Sequence, residues 1–381
     1  MIPNPNGPRS AKAAGAASTR ARSAINAVFF TNHLRKESFY TVPHSVPSFQ
    51  FPHDNTRRGH RRRRRAVMPI GVTRVGVTRP DACRMMGTMR DNLLIGACSW
   101  KFPSWHGLVY SQPEGIDYLA EYAQRYPTVE IDQWFWSLFG PESVTLPDLQ
   151  VAAGYAGSVP GSFRFTIKAP NSITLTHVYA KAQRHANEPN RHFLSEDLFG
   201  RFLERIEPLL PQTDAIILQF EYLNRTKMRG VEEFCLHLDR FFSTVPGGVR
   251  YAVETRNPNF LTDAYFAVLR EHGVAHCFCD GYFMPPAPEV YWRVRELLTG
   301  PVLCRLQARD RADMDRITGK QWNRIVEPMD DRINEVAEAV IDALSAGKRT
   351  IVSINNHFEG SAPLTIERLH QAIDANCPEA W

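Results

Sequence analysis

Two charged pairs, each split by a single residue inside a short apolar stretch, carry the first chemistry visible in this sequence: Glu130-Ile131-Asp132 and Glu254-Thr255-Arg256. On an extended strand, a spacing of two puts both side chains on one face. A carboxylate placed there can move protons, and a guanidinium beside it can hold an anionic substrate or depress its neighbour's pKa. The same rhythm aligns Lys168 with Thr166, Gln219 with Glu221, Arg305 with Gln307 and Asn355 with Ser353, while Asp280 closes another apolar run. The expected division of labour has Glu254 or Asp280 as general base, Lys168 or His177 as acid or charge stabiliser, and Glu130 among the catalytic carboxylates. Arg256, Arg305, Asp132, Gln219, His177, Asn355 and Trp100 are the expected substrate contacts. The expected ligand is small and polar or anionic, sugar- or phosphate-like.

Other chemistries compete for the same residues. Five carboxylates (Glu130, Asp132, Glu221, Glu254, Asp280) and three cations (Lys168, Arg256, Arg305) would, as a structural plug, neutralise one another, because an isolated buried charge costs several kcal/mol. A Schiff base at Lys168 requires a desolvated ammonium, which nearby acids oppose. Glu130, Glu254, Asp280 and His177 include divalent-metal ligand types. No His-Glu-x-x-His or comparable motif anchors them, so a metal is not favoured and no cofactor is assigned.

These residues need elements to hold them. From Leu93 onward, β-branched and apolar runs alternate with amphipathic stretches, the pattern of βα units around a parallel sheet. Strands are expected at 93–99, 128–133, 163–169, 215–221, 250–256, 275–280, 302–307 and 350–355, and helices at 115–126, 141–156, 196–210, 231–244, 262–272, 288–298, 331–346 and 363–375. Eight such units close a (β/α)8 TIM-type barrel, whose chemistry sits at the strands' C-terminal ends. An open doubly wound sheet would more often show a Gly-rich phosphate turn after its first strand, and none is present. Thr262 reads as a helix N-cap and Gly347 as a C-terminal stop. The stretch 170–195 reads as a rim loop, with Lys181 and Arg184 placed to meet phosphates.

Charge divides the chain. Through residue 90 there are 17 Lys+Arg against 3 Asp+Glu, and beyond it 28 against 37. Residues 1–90 are thus read as a disordered Arg-rich extension, or as a start-site artefact, and 91–381 as the barrel. An acidic barrel argues against an extended nucleic-acid footprint, although nucleic-acid binding or processing stays open as an alternative, as does a ligand sensor without turnover. The seven cysteines lack Cys-x-x-Cys spacing, so neither disulfides nor a zinc ribbon is indicated, and a reducing cytoplasm is expected. Cys277 and Cys279 are expected as buried free thiols. No apolar run reaches the roughly 18 residues of a membrane span.

Ile95-Gly96 through Ser99-Trp100, then Trp105, Gly107 and Tyr110, Val129-Glu130-Ile131, Phe163-Arg164-Phe165 to Lys168-Ala169-Pro170, Thr176-His177, Gln219-Phe220, Glu254-x-Arg256, Asp280 and Asn355-Asn356 recur in one order and spacing. Together they resemble the YecE-like family, domain of unknown function 72, over nearly all of residues 93–381. The resemblance implies an α/β barrel and supplies no reaction. Where that family usually follows its Glu-Ile pair with Asn, a small residue and Phe-Tyr, this chain reads Asp132-Gln133-Trp134-Phe135-Trp136.

Overall fold

The structure is a computed structural model that describes residues 90–178, 188–307 and 310–376. The expected disorder of the Arg-rich head, Lys181 and Arg184 all lie outside the described residues. Eight parallel strands close a barrel: β1 (Leu93–Ala97), β2 (Thr128–Ile131), β5 (Arg164–Lys168), β6 (Thr213–Gln219), β7 (Tyr251–Glu254), β8 (Ala275–Asp280), β9 (Val302–Leu306) and β10 (Thr350–Ile354). They pair in chain order around the ring, with β10 returning to β1. The closed barrel expected from the alternating pattern is therefore present, and closure leaves no open edge to aggregate.

Two apolar layers hold it. Leu94, Ala215, Ile217, Ala252, Ala275, Cys277, Leu303 and Ile351 form a small cluster of their own on the inner faces of the strands. The larger cluster takes the opposite parity, such as Ile95, Phe165, Leu218 and Val253, and packs it against the helices. β1 and β2 approach so closely that a Cβ on Gly96 would lie 2.0 Å from the Thr128 carbonyl oxygen, so only glycine fits there.

Helix ends follow the cap chemistry. Thr262 accepts from the Tyr265 amide and opens the helix Asp263–Glu271, as expected. Gly347, at φ 71°, follows the helix Asp330–Ser345 as its left-handed stop. Several expectations need correction, the first being the helix expected at 115–126, which is only Tyr118–Tyr122 behind the Asp117 cap. The helix expected at 141–156 is only Leu149–Ser158, because Asp148 caps its start, and the preceding residues form a hairpin of β3 (Leu138–Gly140) and β4 (Ser143–Val144). The helix expected at 196–210 ends at Arg205, where Pro208 and Pro211 continue the chain as a 3-10 segment over Glu207–Gln212. A further helix, Arg311–Thr318, follows β9 in a stretch where no helix was expected. No helix among the described residues is long and apolar enough to cross a membrane.

Candidate functional site

Period-two alternation delivers one polar side chain after another to the C-terminal mouth of the barrel, and Arg305 of β9 collects them. Its Nε and Nη2 each lie 2.7 Å from a Glu130 carboxylate oxygen, a two-point grip across to β2. Nη1 donates to Glu254 Oε2 of β7 at 2.7 Å and to Gln219 Oε1 of β6 at 3.2 Å. Glu254 also faces Arg256, whose Nη2 is 2.6 Å from Oε1. Arg305, Glu130 and Glu254 are all buried. Burial pushes the Glu254 carboxyl up, but Arg256, Arg305 and Lys168 outweigh it, and the net position is below the usual carboxylate range. Four of the expected site residues thus form the neutralising plug that was the competing reading: Glu130, Glu254, Arg256 and Arg305. A carboxylate clamped in its ionised form between two guanidiniums is a poor proton acceptor.

Asp280 leaves this group. Cys277 and Cys279 occupy the inner parity of β8, so alternation turns Asp280 outward with His276 and Phe278. Its Oδ2 accepts from Arg332 Nη1 at 2.6 Å and from the Ala287 amide at 2.9 Å, and it anchors two outer helices. Glu221, expected inward beyond β6, pairs with Lys227 at 2.6 Å. Trp100 is buried edge-on against Tyr155, with centroids 5.1 Å apart. His177 is bound through Nδ1 to Thr176 Oγ1 at 2.9 Å in an isolated bridge to Pro189, with no bond to the plug. Asn355 accepts from the His357 amide at 3.0 Å and lies 2.6 Å from His357 Nδ1. Among the described residues no three His, Cys, Asp or Glu side chains gather to hold a metal, and Asp280 and His177 are not brought to Glu130 and Glu254.

Above the plug, Asp132 and Lys168 behave differently. Ile131 pairs with Ile167 in the β2–β5 register, so the next residues, Asp132 just past β2 and Lys168 at the end of β5, follow side by side. Neither side chain makes a hydrogen bond or an ion pair among the described residues. Lys168 Nζ sits 3.9 Å from the centroid of the Phe135 ring. Burial raises the Asp132 carboxyl to about 6, with Lys168 opposing the rise and Glu130 adding to it. Burial also lowers the Lys168 ammonium, assisted by the Arg305 charge and opposed by Glu130 and Asp132. The Cys279 thiol, beside the Arg256 guanidinium, is pushed by burial to about 12 and stays protonated. Cys277 and Cys279 are buried and free, as expected.

Three residues around this mouth escaped the sequence-level selection. Tyr282 lies with its ring 4.2 Å below the Arg256 guanidinium carbon, Arg311 opens the helix that follows β9, and His357 bridges Asn355 and Asp315. Tyr282 was visible only as one aromatic among many. His357 directly follows Asn355-Asn356, a faint signal, and Arg311 sits in a polar run with no apolar stripe to mark a helix.

The family described as Protein of unknown function DUF72 matches residues 94–380. The UPF0759 protein YecE of Escherichia coli strain K12 is 29% identical over 168 residues, 44% of this chain and 50% of that protein, so the chain spans about half the length of the curated relative it matches. Among solved structures, a DUF72 family protein (TM1631) from Thermotoga maritima MSB8 superposes with a TM-score of 0.52 at 20% identity, covering 74% of this chain and 99% of that one. A DUF72 family protein (EF0366) from Enterococcus faecalis V583 does so with 0.52 at 18% identity, covering 74% and 95%. At such identities these likenesses speak for the fold.

Proposed function

This chain belongs to the DUF72 family, and from that premise we propose that it is an enzyme moving protons on a small polar or anionic substrate at the C-terminal mouth of its barrel. One observation carries this reading. Lys168 ends β5 and Asp132 directly follows the neighbouring β2, both are shifted toward neutrality, and neither side chain is hydrogen-bonded or ion-paired to a described residue. Catalytic acids and bases work best with pKa values near the operating pH, and such a pair can take a proton at one face of a substrate and return it at another. The roles expected of Glu254 and Glu130 pass to a supporting one: with Arg305 they form the rigid floor, and Glu254 holds Arg256 in place. Asp280, turned to the outer helices, drops out of the reaction. Because the site is a local constellation on a widely used fold, the reading rests on these side chains and not on the barrel.

The test is solvent-deuterium incorporation and product formation in a metabolite mixture, followed by mass spectrometry. The full-length protein is expected to label or convert at least one component, and Asp132→Asn and Lys168→Met each to lower that rate by a factor of about 10² to 10⁴. Conversion undiminished in both variants refutes the reading. Tight binding of a component without turnover replaces it with a ligand sensor.

A further inference from the structure

The helix Arg311–Thr318 is bolted to the barrel. Asp315 Oδ1 lies 2.8 Å from His357 Nε2, His357 Nδ1 lies 2.6 Å from Asn355 Oδ1 just past β10, and the Trp322 ring packs on the imidazole with centroids 4.5 Å apart. Met314 and Thr318 are buried on the same helix. Its first amides are already spent on Asp310, whose Oδ1 accepts from Ala312 and Asp313. Anion recognition here therefore falls to side chains. Arg311, the first residue of this fixed helix, is exposed and makes no hydrogen bond or ion pair among the described residues. Its charge is felt at Asp132, which directly follows β2, and at Tyr282, which follows β8. Tyr282 follows β8 and Arg311 follows β9, neighbouring strands of the ring, so both lie just beyond the strands' C-terminal ends.

Two further groups belong to the same end of the barrel. Lys168 is only 7% exposed, yet its Nζ contacts a ring face and donates to no carboxylate among the described residues. The Tyr282 hydroxyl has no hydrogen bond among the described residues, and its backbone is held at φ 50°, between Gly281 at 126° and Phe283 at 65°. Left-handed conformations are unfavourable for a bulky residue. Phe283, 91% exposed, recovers none of this through burial. Such strain is concentrated at ligand clamps and switch regions. Arg305, Arg256, Lys227 and Arg332 are matched to their carboxylates, whereas Lys168 and Arg311 are matched to none among the described residues.

We propose that Arg311, Lys168 and the Tyr282 hydroxyl form an anion subsite across the barrel mouth, which takes a carboxylate or phosphate group of the substrate. The guanidinium supplies a planar fork and the ammonium a point charge, and the phenol donates a third hydrogen bond. The subsite rests on the reading of this mouth as a reaction site, but its test reads binding alone. Full-length protein is titrated with inorganic phosphate and, separately, with acetate, each against chloride at equal ionic strength, by thermal midpoint and calorimetry. One of the two is expected to bind, and which one does distinguishes a phosphate from a carboxylate substrate. Arg311→Met is expected to weaken that binding at least tenfold, Tyr282→Phe by a smaller factor, and Arg201→Met, at a remote exposed ion pair, by none. Asp132→Asn is expected to retain binding, so the subsite survives even where the proton-transfer reading fails. Neither anion binding better than chloride, or Arg311→Met binding with unchanged affinity while its circular dichroism is native, overturns the proposal.

Discussion

At the scale of single residues, position relative to a cation decides what each carboxylate can do. Glu254 and Asp132 are both inward carboxylates near the strand ends, yet one is clamped ionised and the other is raised to about 6. The difference lies in the cations at hand: Glu254 is ion-paired with two guanidiniums, while Asp132 has no ion pair among the described residues. The raised pKa has a stability consequence. A carboxyl whose folded pKa lies above its unfolded value near 3.8 binds its proton more tightly in the native state, so its contribution to stability is lost as pH rises from about 4 through about 6. Asp132→Asn removes that loss. It is expected to stabilise the protein by roughly 1–2 kcal/mol at pH 7.5, discounted for partial exposure, and by little at pH 4, as checked by urea denaturation at the two pH values. Stabilisation together with lost turnover would mark Asp132 as a residue kept for function at a cost to folding.

At the scale of elements, the mouth depends on how closely the first two strands meet. β1 and β2 share one paired position, Ala97 with Val129, and Gly96 lies over the Thr128 carbonyl. Thr128 begins the strand that presents Glu130 and Asp132, so a shift here moves both carboxylates. Gly96→Ala must push the backbones apart and is expected to destabilise by about 2–3 kcal/mol. Its distinctive signature is a second effect: with Asp132 carried away from Lys168, turnover is expected to fall further than in a surface variant of equal stability, as read from rates measured well below the thermal midpoint. The helix Arg311–Thr318 makes a related point. Its placement comes from contacts with His357 and Asn355 beyond the next strand and not from an apolar stripe of its own.

At the scale of the whole molecule, the barrel carries one ionic cluster at each end. Near the strand starts, buried Asp214 accepts from Arg250 at 2.6 Å and from Arg349 at 2.6 Å, tying the β6, β7 and β10 segments together. Near the strand ends, Arg305 ties β2, β6, β7 and β9. Removing one member of a buried pair leaves an uncompensated charge, so Arg305→Met is expected to cost about 3–5 kcal/mol. Asp214→Asn is expected to cost less, because its two arginines are partly exposed and can turn to water. Asp214 and Gln219 are five residues apart on one strand, roughly 16 Å at about 3.3 Å per residue. At that separation the two losses should add to within about 0.5 kcal/mol in the double variant. Marked non-additivity in urea denaturation would show that the two clusters are coupled through the barrel wall.

Much of this molecule was legible in the residues before any coordinates, and the legible part is what local geometry controls. Eight apolar runs spaced by amphipathic stretches led to a closed barrel, and alternation of side chains brought Glu130, Asp132, Lys168, Glu254 and Arg305 to one interior. The Thr262 cap and the Gly347 stop follow from backbone chemistry within a turn. Asp280 shows how narrow that margin is, since the same alternation applied from Cys277 and Cys279 sends it outward. What tertiary structure alone decided is how the inward charges are shared. Arg305 reaches Glu130 175 positions away and Glu254 51 positions away, so which acid is neutralised depends on who meets across the closed ring. Among the described residues Asp132 and Lys168 are left without an ion pair, the nearby Arg305 and Arg256 being matched to Glu130 and Glu254. The helix that begins at Arg311 is fixed because Asp315 meets His357. Short-range periodicity sets the direction in which a side chain points; the partner it finds there is set by closure of the chain, which no local pattern encodes.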